Sequence, residues 1–186
     1  FERALSIFEE VGDVLRQSDV LNYHGAMAYW EGRWGDAVEL YERGRERAER
    51  AGDVVGAAIA SVNIAEVLSD QGRLEEAEGP ARDALRVFRA ARYSEQVSAG
   101  SRILGRNQSR AGGHEEAESL FTEAIRVAEE SGLPLLAVAA TGMLAEDLVR
   151  RGDPEAALKR LEPVDEQVVS IGGAGVYVPL LQRVAG

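Results

Sequence analysis

The sequence predicts an all-α protein, a right-handed α-solenoid of antiparallel helix pairs with about ten helices. Three observations predict it. Gly32, Gly72, Gly112 and Gly152 recur every 40 residues. Ala37, Ala77, Ala117 and Ala157 follow five positions later in the same frame. Between these marks, apolar residues fall three and four apart, as in Ile64, Ala65 and Leu68 or Leu120, Ile125 and Ala128, which is the helical period.

The frame assigns each element in turn. Residues 1–12 read as the second helix of a severed unit, because Phe1, Ala4 and Gly12 sit 40 before Tyr41, Gly44 and Gly52. Four whole units follow at 13–52, 53–92, 93–132 and 133–172, and residues 173–186 begin a further one. Within the units the helices pair as 14–31 with 35–51, 54–71 with 74–91, 94–111 with 115–131, and 134–151 with 154–171. The glycines at 32, 72, 112 and 152 end the first helix of each pair, since glycine takes the left-handed cap without a Cβ penalty. The second helix starts at once, most legibly where Asp153 can cap and Pro154 takes the first turn.

Two further small columns, Gly25, Ala65, Gly105, Ala145 and Gly44, Ala84, Ala124, Val164, let the paired helices approach closely. Large residues keep a column of their own at Tyr41, Phe121 and Leu161, with Ala81 the exception. Pro80 and Pro163 interrupt second helices and each remove a hydrogen bond.

The helix–turn–helix unit, its small columns and its Gly-x-x-x-x-Ala turn resemble the tetratricopeptide repeat across the chain. The usual repeat has 34 residues and a closing proline. The 40-residue unit without that proline looks like the longer variety of bacterial signalling regulators. Residues 63–78 and 84–93 are more particular, and resemble repeat tails of actinobacterial proteins that join a class III adenylate/guanylate cyclase to an ATPase module. Similar tails occur on transcriptional activators. The resemblance implies a cytoplasmic interaction scaffold within a larger signalling protein, the catalytic domains lying upstream of Phe1.

Composition narrows the function. With 21 basic and 32 acidic residues the net charge is −11, which disfavours nucleic acid and anionic membrane, both of which need Lys/Arg against phosphate. No apolar run approaches the ~20 residues of a bilayer span. Cysteine is absent, so thiolate metal sites and nucleophiles are excluded. Lys159 is the only lysine, and the Arg-, Ala- and Gly-rich usage is that of a GC-rich bacterial genome. The chain opens at Phe1 without polar capping repeats, which points to a piece of a longer protein whose ends associate with each other.

Few residues offer chemistry. His24 falls on a packing face in the column of Ile64, Leu104 and Leu144, and His114 in a solvated turn beside Glu115 and Glu116. Neither reaches the three or four ligands of a metal site, and no cofactor is expected. Gly172-Gly173-Ala174-Gly175 lacks the lysine and the strand of a phosphate loop and reads as a turn. Carboxylate pairs such as Glu75/Glu76 open helices, where the dipole favours them.

Arg102, Arg106 and Arg110 line one helix face. The frame sets Glu66, Arg106 and Glu146 in one row and Asp70, Arg110 and Arg150 in another. Two readings stand: a ladder of ion pairs, or a concave site in which arginine grips an anion or acidic peptide. Asn22 and Asn63 match inner positions that hold a peptide carboxylate in relatives, but the accompanying lysines are missing. Tyr23, Tyr29, Trp30 and Trp34 gather at one end, as interface anchors or as cover for residues 1–12. The candidate concave-face set is therefore Asn22, Tyr23, Trp30, Asn63, Glu66, Arg102, Arg106, Arg110 and Arg150, with a protein or peptide segment as partner.

Overall fold

In the computed structural model, residues 1–170 are described, with side chains as far as Val164. Among them are nine α-helices and no strand. They are α1 (Glu2–Glu10), α2 (Val14–Trp30), α3 (Trp34–Ala51), α4 (Val54–Asp70), α5 (Leu74–Ala91), α6 (Ser94–Ala111), α7 (His114–Glu130), α8 (Pro134–Arg150) and α9 (Pro154–Ser170). The ends of the eight paired helices fall within one residue of the frame's expectation. The unit start at 173–186 and the Gly172–Gly175 turn lie outside the described residues.

Backbone contacts divide the chain into a first unit, Phe1–Arg92, with α1 to α5, and a second, Tyr93–Gly186, with α6 to α9. In the first unit α1 rests on α2, α2 pairs with α3, α3 meets α4, and α4 pairs with α5. In the second, α6 pairs with α7, α7 meets α8, and α8 packs on α9.

The turns explain the period. Gly32, Gly72, Gly112 and Gly152 have φ between 76° and 84°, the left-handed region open to glycine at no steric cost. In each turn the next amide reaches back to a helix carbonyl: Arg33 N to Ala28 O at 2.8 Å, Arg73 N to Leu68 O at 2.9 Å, Gly113 N to Gln108 O at 2.8 Å and Asp153 N to Leu148 O at 2.9 Å. This is the Schellman closure of orphan carbonyls. Arg92 takes the same conformation, at φ 54°, without being glycine.

Helix starts are capped by Asp13 on Arg16 N (3.0 Å), Asp53 on Gly56 N (2.9 Å) and Asp153 on Ala156 N (3.0 Å). α5 runs on through Pro80. Gly79 precedes it and lacks the Cβ that would otherwise clash with the proline ring.

Packing follows the small columns. Ala37, Ala77, Ala117 and Ala157 are completely buried. A Cβ on Gly25 would stand 2.7 Å from the Tyr41 ring, and one on Gly105 would stand 2.9 Å from the Phe121 ring. Glycine thus faces an aromatic residue in both places, whereas in the frame Ala65 faces Ala81 and Ala145 faces Leu161. The extra methyl of Ala65 excludes a ring of the Tyr41 kind but not a large aliphatic residue, since Ala145 faces Leu161, so Ala81 stays the exception.

The Ser18 hydroxyl donates to Gly44 O, and Ser98 donates to Ala124 O, each at 2.9 Å. The same inner-to-outer bond is therefore found in both units. Phe121, Val138, Leu144, Leu148, Leu161 and Val164 belong to one buried cluster of the second unit.

Candidate functional site

In the first unit the inner helices α2 and α4 run side by side in the same direction. Asn63 Nδ2 donates to Asn22 Oδ1 at 3.0 Å, and the Tyr29 hydroxyl donates to Asp70. Both contacts join residues 41 apart in the chain, and the second lies seven residues beyond the first on each helix. Asn22 and Asn63 are thus brought together. Glu66 is half-buried on the same helix as Asn63. Burial pushes the Tyr41 phenol well above its ordinary range, and the nearby Glu66 carboxylate adds to the effect.

Tyr23 and Trp30 stand apart from that row. They remain 66% and 73% exposed, and Met27 lies between them at 46%. Tyr29 packs edge-on to Trp30, with ring centroids 5.7 Å apart. His24 is half-buried and stacks on Phe1 at 4.9 Å.

The second unit repeats the arrangement. Arg102 Nη1 lies 3.7 Å from Met143 Sδ, and Arg150 Nη1 donates to Ser109 Oγ at 3.4 Å. These contacts again join residues 41 apart and advance by seven on α6 and α8, so these helices are parallel as well. Arg102 and Arg106 are half-buried and Arg110 is exposed. Each of the three arginines is engaged with other groups.

The expectation for His114 needs correcting. It is the first residue of α7, and its Nδ1 lies 2.7 Å from Oδ1 of Asp147, a carboxylate with no exposed surface. Arg151 Nε approaches Asp147 Oδ2 at 3.6 Å, while Arg151 Nη2 bonds Glu118 at 2.8 Å. A buried carboxylate demands such partners, and His114, its side chain still 31% exposed, supplies one from the rim of the turn. Asp147 shares a column with Met27, Val67 and Asn107, of which Met27 is exposed and the other two are buried, so the frame alone did not mark it as buried.

Among the described residues, no three His, Asp or Glu side chains come together to hold a metal ion. No helix among them is long and apolar enough to cross a membrane.

A family model described as tetratricopeptide repeat matches residues 16–90. Two of the solved structures that resemble the chain are each 17% identical to it. One is a Rap protein complexed with competence and sporulation factor, at a TM-score of 0.77 over 83% of this chain and 43% of that one. The other is BtubC (BKLC) from P. vanneervenii, at a TM-score of 0.70 over 87% of this chain and 66% of that one. The chain thus spans less than half of the first neighbour and 66% of the second. No curated protein matches it in sequence. Helix order, family match and neighbours agree on the fold, an all-α, tetratricopeptide-like solenoid.

Proposed function

We propose that this chain is a non-catalytic interaction scaffold, made of 40-residue repeats at 13–52, 53–92, 93–132 and 133–172, whose inner helices hold a protein or peptide segment. The observation that carries the reading is the fixed comb of side chains in each unit. Parallel inner helices keep Asn22 beside Asn63 and Arg102 beside Met143, with a second contact seven residues on. Such a comb offers hydrogen bonds and cationic edges at regular intervals, which suits a chain-like ligand. The Rap neighbour, of similar fold, is complexed with competence and sporulation factor, and that supports a binding role for this chain too.

In this reading Asn22, Tyr23, Trp30, Asn63 and Glu66 contact ligand in the first unit, and Arg102, Arg106, Arg110 and Arg150 in the second. Guanidinium groups select carboxylate, so the segment met by the second unit is acidic. The resemblance of residues 63–78 and 84–93 to cyclase–ATPase tails supports a regulatory role inside a bacterial signalling protein, with a domain of the same parent as ligand.

An array of acidic peptides probed with the chain and with Arg102→Ala/Arg106→Ala tests the proposal. The expected result is a set of bound peptides that the double variant loses at nearly unchanged melting temperature. Binding indifferent to the two arginines refutes the acidic-segment reading. Equal loss with free acetate or phosphate as competitor marks a small-anion site instead.

A further inference from the structure

The outer helices of the first unit leave a groove that the inner rows do not use. It runs between α3 and α5 over the first half of α4 and encloses about 650 Å³, within the range of sites that hold small molecules. Val54, Ala57, Pro80 and Val87 give it apolar walls. Helices of the chain itself bound it on both sides, so its opening is a feature of the packing.

The frame sets a second groove two periods on, between α7 and α9, of about 520 Å³. There Glu129, Ala137, Thr141 and Val164 hold the places of Glu49, Ala57, Ser61 and Ala84. The floor hydroxyl is bonded alike in both: Ser61 donates to Ala57 O and Thr141 to Ala137 O, each at 2.9 Å. On α6 the matching Ser101 instead donates across to Glu123 of α7, at 2.8 Å. Asp83 stands at the place of Glu123, is one methylene shorter, and bonds Arg86 on its own helix. The floor of the first groove is therefore not crossed by that bond.

The polar side chains that line the first groove are Arg45, Glu49, Ser61 and Asp83. The Ser61 proton is already used, and ionised Glu49 and Asp83 only accept. Both acids are more than half exposed and keep their water. Arg45 differs. Its Nε is buried without a hydrogen-bond partner, since Glu49 Oε1 at 3.8 Å is out of range. A buried donor left unmet costs free energy and calls for an acceptor. The Arg45 side chain as a whole is 39% exposed, so its guanidinium is within reach of a molecule in the groove. In the second groove Ile125 takes the place of Arg45, and cations return as Lys159 and Arg160 at the places of Gly79 and Pro80.

We propose that the groove between α3 and α5 binds a small free carboxylate with an apolar body, a medium-chain or aryl-substituted acid. The carboxylate accepts from the Arg45 guanidinium, a charge-assisted contact, in place of the loose approach of Glu49. The apolar body lies along Val54, Ala57 and Val87. A single guanidinium suits a single carboxylate, and the volume suits one small molecule. This site goes beyond the scaffold reading and shares no residue with it.

NMR of the full isotope-labelled chain, titrated with decanoate, tests the proposal. The Arg45 Nε–H signal, identified by its loss in Arg45→Met, and the amides of Val54, Ala57 and Val87 should shift saturably. Arg45→Met should weaken binding about tenfold or more. Ala57→Leu, at a half-buried position on the floor, should weaken it as much. Thermal melts of both variants should stay nearly unchanged. Decylammonium, with the same tail and the opposite charge, should leave the Arg45 signal in place.

No saturable shift by about 5 mM decanoate overturns the proposal, as does binding that either variant leaves intact or that decylammonium matches. Shifts confined to Arg102, Arg106 and Arg110 put the carboxylate on an inner helix and overturn it too. An acidic peptide that moves the Arg45 signal where decanoate does not makes a polypeptide the occupant, with the same force. The acidic-peptide array reads Arg102 and Arg106 in the other unit, so either idea can fail without the other.

Discussion

The pairing of glycine with an aromatic ring gives a prediction in which one substitution has opposite signs at two sites. Gly105 lies inside α6, where alanine would normally stabilise a helix by about 0.5–1 kcal/mol. Its new Cβ, however, would stand 2.9 Å from Phe121 Cε1, 3.0 Å from Cδ1 and 3.3 Å from Leu120 Cβ. Comfortable carbon contacts need about 3.5–4.0 Å, so the ring must retreat by roughly half an ångström or more. Phe121 is 1% exposed and belongs to the buried cluster of its unit, so a shift of the ring presses on buried neighbours. Overpacking of this kind costs about 1–3 kcal/mol, and the net effect of Gly105→Ala is a loss of about 1–2 kcal/mol.

Gly35→Ala is the control. Nothing lies within 4 Å of its added methyl and its φ is not positive, so a gain of about 0.5 kcal/mol is expected. Thermal and urea unfolding followed by far-UV circular dichroism should separate the two variants by several degrees, at about 2–4 °C per kcal/mol for a chain of this size. In a Phe121→Leu background, which copies the Ala145–Leu161 pair, Gly105→Ala should become neutral or stabilising. A positive coupling of at least about 1 kcal/mol is then read from the cycle. If Gly105→Ala stabilises the chain as Gly35→Ala does, the ring yields freely and close approach does not explain the column.

The other predictions concern single features. Ala117→Glu places a carboxylate where the residue has no exposed surface and should cost several kcal/mol, about 3 or more, seen as a large fall in melting temperature. His114→Ala leaves the Asp147 carboxylate with only the long Arg151 approach and should cost about 2 kcal/mol in urea unfolding. Arg92→Gly restores glycine at a left-handed cap and should stabilise by up to about 1 kcal/mol, so a lower unfolding midpoint would count against it. The Arg73 guanidinium holds the Glu76 carboxyl below its ordinary range by hydrogen bonding. The folded value therefore lies under the unfolded one, and the stabilisation is present above the unfolded value and lost as pH falls through the folded one. A carboxyl titration by NMR should show this depression, and Arg73→Ala should abolish it.

What was legible in the sequence and what was not divide along a physical line. Positions where the backbone or the steric envelope admits few side chains announce themselves. Gly32, Gly72, Gly112 and Gly152 are required by a left-handed turn, and Ala37, Ala77, Ala117 and Ala157 by full burial between helices. Because these constraints recur every 40 residues, the register of every helix could be read before any contact was known. Gly25 with Tyr41 and Gly105 with Phe121 obey them as complementary volumes.

The candidate site was less legible because its chemistry lies in pairings between elements. Asp147 and His114 are 33 residues apart and meet only because the fold buries one and starts a helix with the other. Arg102 was placed on a face by its spacing, but that it lies against Met143 depends on α8. For Tyr23 and Trp30, the sequence showed only that aromatic residues gather at one end, and their exposure comes from the structure. The rows that bind α4 to α2 and α8 to α6 are met on α2 by aromatic rings in place of Asn63 with Asp70 or Met143 with Arg150. A repeat frame therefore does more than predict a fold: it says which neighbouring element each position ordinarily touches, while the chemistry of the contact depends on the residue that the neighbour brings.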